Sequence, residues 1–152
     1  MAKLHSDTED AREIRALINR QVASLSWNDV RRANWPAFES DFLPAAILFP
    51  SARPVTPQSV ATFVQRMKLL VAGTVNTFHE EVIGTTINVF GHIAVAVVAC
   101  EVTENSKDMG RIVEMILLVK ENDVWRIAAQ AWEKSTPSRR VPPSLIGVGR
   151  GR

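Results

Sequence analysis

The sequence predicts an α+β domain in which three N-terminal helices precede an antiparallel sheet of four long strands, with one short strand between the helices. Three observations carry this reading. Val75 to Lys134 reads as four consecutive strands joined by short turns. Upstream, two segments repeat apolar residues at three- and four-residue spacing, the period of a helix with one buried face. Beyond Lys134 the composition changes to proline, glycine and arginine, which marks the end of the body.

The strands follow from residue type and parity. Ile93 to Val102 is apolar on both faces and rich in β-branched residues, and Ile112 to Val119 is similar, with Glu114 as its interruption. Val124 to Trp132 places Trp125 and Ile127 on one face and Arg126, Gln130 and Trp132 on the other. The first strand, about Val75 to Val89, contains Gly84, where a bulge or sharp bend is expected. Phe90-Gly91-His92 is a tight turn, Asn105 to Gly110 a polar loop, and Asn122-Asp123 a two-residue hairpin. Connections this short require antiparallel neighbours.

The helices are set by stripes and caps. Ser6, Asp7 and Thr8 are N-cap candidates, and Ala11, Ile14, Leu17, Ile18, Val22 and Leu25 form the stripe of the first helix. Trp27-Asn28-Asp29 closes it, and Asp29 to about Asn34 reads as a short second helix. Phe38 and Phe42 anchor the segment that Pro44 ends. Ala45 to Phe49 is the short strand. Thr56-Pro57 would open the third helix, whose stripe is Val60, Phe63, Val64, Met67, Leu70 and Val71, with Gly73 as its C-cap.

The chain of 152 residues is most simply one domain, residues 1–134, followed by a basic tail, residues 135–152, either flexible or laid on the surface. Leu145, Ile146 and Val148 would dock on a neighbouring subunit if the tail is not solvated. Arg139, Arg140, Arg150 and Arg152 lie in this tail without an acid nearby. Without these four charges the net falls from +2 to −2, so the basicity belongs to the tail. No basic stripe with interleaved aromatics is present, so nucleic-acid binding is not expected. No apolar run is long enough for a membrane span, and the N-terminus lacks a hydrophobic signal segment, so a cytoplasmic location is expected.

Candidate chemistry is sparse. Glu101 and Glu114 interrupt two apolar strands. If the loop lets Glu104 face Arg111, they sit directly opposite each other, and such a pair could share a proton as acid and base. Alternatively the register slips, Arg111 or Arg126 neutralises one of them, or both lie on the outer face at an interface. His79 is a base candidate or a strand histidine bonded to a carboxylate. Cys100, deep in an apolar strand, reads as a buried inert thiol. Trp132, Phe63 and Phe38 are candidate pocket walls, and Asp41 is a turn or capping carboxylate. No run of His, Cys, Asp and Glu has metal-ligand spacing, so neither a metal nor another cofactor is expected.

The order of elements, the Asp41 to Phe49 passage, Thr56-Pro57, the Phe90-to-Val95 hairpin and Asn122-Asp123-Val124-Trp125-Arg126-Ile127 resemble the nuclear-transport-factor-2-like superfamily, also called the SnoaL-like or cystatin-like cone fold. Phe78-His79-Glu80 with Glu101 is similar to a bacterial branch of small uncharacterised members. The resemblance covers roughly Asp7 to Lys134. It implies a curved sheet wrapped on the helices, a conical apolar pocket open at one end, and a homodimer paired through the sheet. It does not supply a catalytic set. Ketosteroid isomerases in that superfamily use a tyrosine and an aspartate after the first short strand. This chain has no tyrosine and reads Leu48-Phe49-Pro50-Ser51-Ala52-Arg53 there. The expected function is binding of a hydrophobic small molecule, with proton-transfer chemistry (isomerisation, dehydration or cyclisation) on a carbonyl compound. The alternative is a non-catalytic dimerising module for a protein partner.

Overall fold

The computed structural model describes residues 8–149. His5, Ser6, Asp7, Arg150 and Arg152 lie outside them. The elements in chain order are α1 (Glu9–Leu25), α2 (Trp35–Ser40), β1 (Phe42–Phe49), β2 (Gln58–Ser59), α3 (Val60–Ala72), β3 (Phe78–Phe90), β4 (Ile93–Glu104), β5 (Lys107–Glu121) and β6 (Val124–Lys134). The strands make one mixed six-stranded sheet in the order β2-β1-β6-β5-β4-β3, with β1 parallel to β6 and the other neighbours antiparallel. The α+β class holds, and the strand count rises by one.

Each helix starts where a side chain takes over an orphan amide. Thr8 accepts from Ala11 N at 3.1 Å to cap α1. The first-turn Asp10 then ties α1 to the far end of the sheet, accepting from Lys120 Nζ and Trp125 Nε1, each at 2.9 Å. The second helix lies later than the Asp29–Asn34 expectation. Asn28 Oδ1 accepts from Val30 N at 2.9 Å and Arg31 N at 2.7 Å, which holds that segment in a turn. Asn34 caps α2 instead, at 3.2 Å from Ala37 N. Thr56-Pro57 does not open α3 either. Gln58 and Ser59 stay extended because they pair with Leu48 and Ile47, and Ser59 is the cap.

The core lies between α1, α2, α3 and one face of the sheet. Ile14, Ile18, Leu48, Ile87, Ile116, Leu118 and Ile127 are almost wholly buried there. At roughly 1.5–3 kcal/mol for a fully buried aliphatic side chain, this face dominates the stability. No helix among the described residues is long and apolar enough to cross a membrane.

Three irregularities set which side chains face that core. In β3 the register shifts between Val82 and Gly84, so Ile83 and Gly84 both turn outward. In β6 it shifts so that Leu117 faces Ala129 while Leu118 faces Ile127, leaving Ala128 as the extra residue. The parity rule therefore fails across β6, and Trp125 and Trp132 both face the helices. In β5 the expected loop Asn105 to Gly110 contracts to the two-residue turn Asn105-Ser106, with φ of 51° and 64°. Asn122-Asp123 makes the same kind of turn, with φ of 51° and 62°.

The segment after β6 lies on the outer face. Val141 and Leu145 are buried against Ile83 and Ala99. Gly147 N donates to Ile83 O at 2.7 Å and Thr85 N donates to Val148 O at 2.8 Å, so the segment completes the hydrogen bonding of the β3 bulge. Gly84 is needed for this approach, because a Cβ there would lie 1.9 Å from the Leu145 carbonyl oxygen.

Candidate functional site

A cavity of about 190 Å³ opens between α1, α3 and the helix-facing side of the sheet. An apolar cavity of roughly 150 Å³ admits benzene, so this one suits a molecule the size of a substituted benzene. Its walls are largely apolar, with Phe38, Phe63, Phe78 and Trp132 as their aromatic part. Phe38 stacks on Phe63 at 5.6 Å between ring centroids, and Phe63 meets Trp132 edge-on at 5.7 Å. Met67, Leu48 and Ile112 are among the other apolar lining residues.

At the floor stand two buried carboxyls, Glu80 of β3 and Glu114 of β5, on either side of Cys100 of β4. One donor atom from each lies within 4.8 Å of the other two. The placement follows from register. Glu80 pairs with Val102, Cys100 with Val82 and Ile112, and Glu114 with Val98, so the three side chains run diagonally across neighbouring strands on the same face. A directed amide chain holds the pair. Gln21 Nε2 donates to Gln130 Oε1 at 3.1 Å, and Gln130 Nε2 donates to Glu114 Oε2 at 2.7 Å. Among the described residues, Glu80 Oε1 and Gln21 Oε1 have no hydrogen-bond partner.

Burial sets the electrostatics. Removal from water raises the Glu114 carboxyl well above the usual range, and the neighbouring Glu80 charge raises it further. Glu80 is raised by the same burial, opposed by hydrogen bonding from Glu114 and Cys100. Burial also pushes the Cys100 thiol up, followed by the charges of Glu114 and Glu80. The pair therefore favours holding a proton, and the thiol is inert. Glu80, Cys100 and Glu114 also have the donor spacing of a metal site. All three are driven towards their protonated forms, so proton sharing meets the geometry with the charges these residues favour.

The three catalytic candidates separate. Glu114 lines the cavity. Glu101 faces outward and pairs with Arg111, whose Nη2 lies 2.9 Å from Glu101 Oε1. The short turn at Asn105-Ser106 and an irregularity before Gly110 set this register, which puts Glu101 and Glu114 on opposite faces and removes their proposed coupling. His79 is exposed on the outer side of β3, away from the cavity. Phe38, Phe63 and Trp132 all line it. Asp41 is the C-cap of α2 and lies 2.7 Å from Arg20 Nη2.

Sequence reasoning missed Glu80 and Gln21. The signal for Glu80 was parity, since Phe78, Glu80 and Val82 alternate onto one face while His79 and Glu81 take the other. Gln21 sits inside the apolar stripe of α1, between Ile18 and Leu25. The Glu-Cys-Glu cluster had no linear spacing to reveal it because each member comes from a different strand.

A second, larger cleft of about 510 Å³ runs along the outer face beneath the C-terminal segment. Val97, Val113, Met115 and Leu145 line it, with Arg53, Arg139 and Arg140 at its rim.

No family model matches the chain, and no curated protein matches it by sequence. Solved structures do match. A cystatin-like-fold protein of unknown function from Nostoc punctiforme has a TM-score of 0.69 at 16% identity, covering 95% of this chain and 100% of its own. An NTF2-like protein of unknown function from Pseudomonas putida has a TM-score of 0.67 at 14% identity, covering 91% and 95%. A protein from Novosphingobium aromaticivorans, named as a candidate aromatic ring hydroxylase, has a TM-score of 0.66 at 15% identity, covering 85% and 91%. The chain thus has the NTF2-like, cystatin-like fold.

Proposed function

We propose that the cavity binds a small hydrophobic carbonyl compound and that Glu80 and Glu114 move protons on it. One observation carries this reading: a buried carboxyl pair stands at the floor of an apolar-walled cavity, with Glu80 Oε1 left without a partner among the described residues. Buried polar groups are seldom left unpaired, and a bound polar group would satisfy this one. Glu114, the more strongly protonated member, donates to the ligand's carbonyl oxygen. Glu80, as carboxylate, removes a proton from the adjacent carbon. The C–H electron pair becomes the C=C bond of an enol, the carbonyl π pair moves to oxygen, and that oxygen takes the Glu114 proton. Reversal on the other face or at another carbon gives isomerisation. Neither step uses His79 or Glu101.

Acetophenone in D₂O tests this reading. The protein is expected to speed deuterium exchange at the methyl group. Glu80→Gln is expected to lower that rate about 10²- to 10⁴-fold, the usual contribution of a positioned acid or base. Binding without exchange would leave a carrier function, and no binding would overturn the reading.

A second reading concerns the outer face. Val95 lies opposite Leu117, which lies opposite Ala129, which pairs with Ile47, and Val97 faces Met115 in the next row. Ile47, Val95, Met115 and Leu117 are all exposed. A contiguous apolar patch of this kind supports pairing with a second copy through the sheet, or a protein partner in the same place. Sedimentation of wild type and Met115→Glu tests it, with dimer expected for the first and monomer for the second.

A further inference from the structure

The cavity is polarised along its length. Its floor holds the carboxyl pair, and its exposed rim holds Arg66 of α3, Glu104 of β4 and Lys134 of β6. Two cations against one anion leave the rim net positive. Among the described residues, neither Arg66 nor Lys134 makes an ion pair or a side-chain hydrogen bond. Glu104 and Lys134 come to the rim because they occupy the same end of the sheet, and Arg66 reaches the cavity from α3. Glu104 closes β4 opposite Phe78, and Lys134 closes β6 opposite Ile112. Between the charged rim and the polar floor of Glu80, Glu114, Gln21 and Gln130, the lining is apolar: Phe38, Phe63, Phe78, Trp132, Met67 and aliphatic side chains.

From this we infer that the ligand is an aromatic carboxylate with a carbonyl at its far end, seated carbonyl-inward with its carboxylate between Arg66 and Lys134. The inference rests on the pocket reading above and adds the ligand's charge and direction. A ligand carboxylate at the floor would be desolvated beside Glu80 and Glu114, like charge against like. At the rim it keeps water on one side and gains charge-assisted hydrogen bonds from Arg66 and Lys134. The ring between the two ends spans the apolar walls. The floor thus rejects the group that the rim accepts, and this difference fixes the orientation.

The test compares para-acetylbenzoate with its neutral methyl ester on the full chain, by NMR titration at low salt. The expected result is a carboxylate at least about tenfold tighter than the ester, with the advantage shrinking as salt is added. In Arg66→Gln/Lys134→Gln the ratio of acid to ester affinity should fall to near one. Glu104→Gln, which removes the opposing charge, should raise the ratio. Equal affinity for acid and ester in the wild type would overturn the rim inference and leave the pocket reading standing. A wild-type preference that survives the double substitution would also overturn it. If neither compound binds a folded chain, the pocket reading fails and the inference fails with it.

Discussion

The two faces of the sheet are built from the same strands and do opposite things with similar residues. β4 is apolar on both sides, yet Ala94, Ala96, Val98 and Cys100 lie under the helices while Val95 and Ile93 stand exposed. The inner face is closed by three helices and keeps a small cavity with buried carboxyls. The outer face is closed only in part, by the segment carrying Val141 and Leu145, and its cleft has arginines at the rim and no buried acid. Charge follows cover. Glu114 and Glu101 are both strand glutamates, but the first is shut away from water while the second is half-exposed and meets an arginine. A strand residue's chemistry is therefore set by what lies across from it and above it, more than by its own strand.

Core truncation should divide the two faces most sharply. Leu118→Ala, at a position with no exposure, is expected to cost roughly 2–5 kcal/mol in chemical denaturation. Met115→Ala, 61% exposed on the opposite face, should stay within about 0.5 kcal/mol in the monomer. A Met115→Ala loss that grows with protein concentration would mean that a second copy covers the outer patch.

Gly84→Ala attacks the outer cover alone. Its new Cβ meets backbone, which cannot yield as a side chain could. The C-terminal segment should lift, with a loss of roughly 1–3 kcal/mol. Hydrogen exchange should speed at the Thr85 and Gly147 amides, whose bonds to Val148 and Ile83 would break. Protection at Ile116 and Leu118 should change far less. Equal loss of protection on both faces would show that the outer segment and the core open as one unit.

These contrasts also explain what could be read in the sequence. The four long strands, the stripes of α1 and α3, the Asn122-Asp123 turn and the Gly84 bulge were legible because each depends on local chemistry. Faces were not legible beyond the first irregularity. Ala128 adds one residue to β6 and carries Trp132 to the same side as Trp125. The turn at Asn105-Ser106 and the irregularity before Gly110 replace the expected pairing of Glu101 with Glu114 by pairing with Arg111. A bulge is a small local event that inverts every later parity assignment. Residues 135–149 were hidden for a different reason. Their composition is that of a solvated tail, and Val141, Leu145, the room at Gly84 and the backbone bonds to Ile83 and Thr85 seat them on the sheet.

Glu114→Gln probes the inner pair through pH. Burial raises the folded-state pKa of Glu114 above its unfolded value. Its contribution to stability is then fully present below the unfolded pKa and is lost as pH rises through the folded one. Wild type should weaken towards alkaline pH, and Glu114→Gln, which cannot ionise and still accepts from Gln130, should weaken less. The gap should grow with pH to on the order of 1–3 kcal/mol, read from denaturant midpoints. Parallel pH profiles would mean that the carboxyl ionises in water rather than in the cavity.

Glu101→Gln should have the smallest effect, and it completes the comparison. The Glu101–Arg111 pair is 43% exposed on both sides, where water and salt screen it. A double-mutant cycle with Arg111→Gln should return less than about 1 kcal/mol, falling with added salt. Acetophenone exchange should be unchanged in Glu101→Gln and lost in Glu80→Gln, although the two residues occupy adjacent strands only one pairing apart: Glu80 faces Val102 and Glu81 faces Glu101. The reverse pattern, with exchange dependent on Glu101, would move the chemistry to the outer face and leave the buried pair as structure alone.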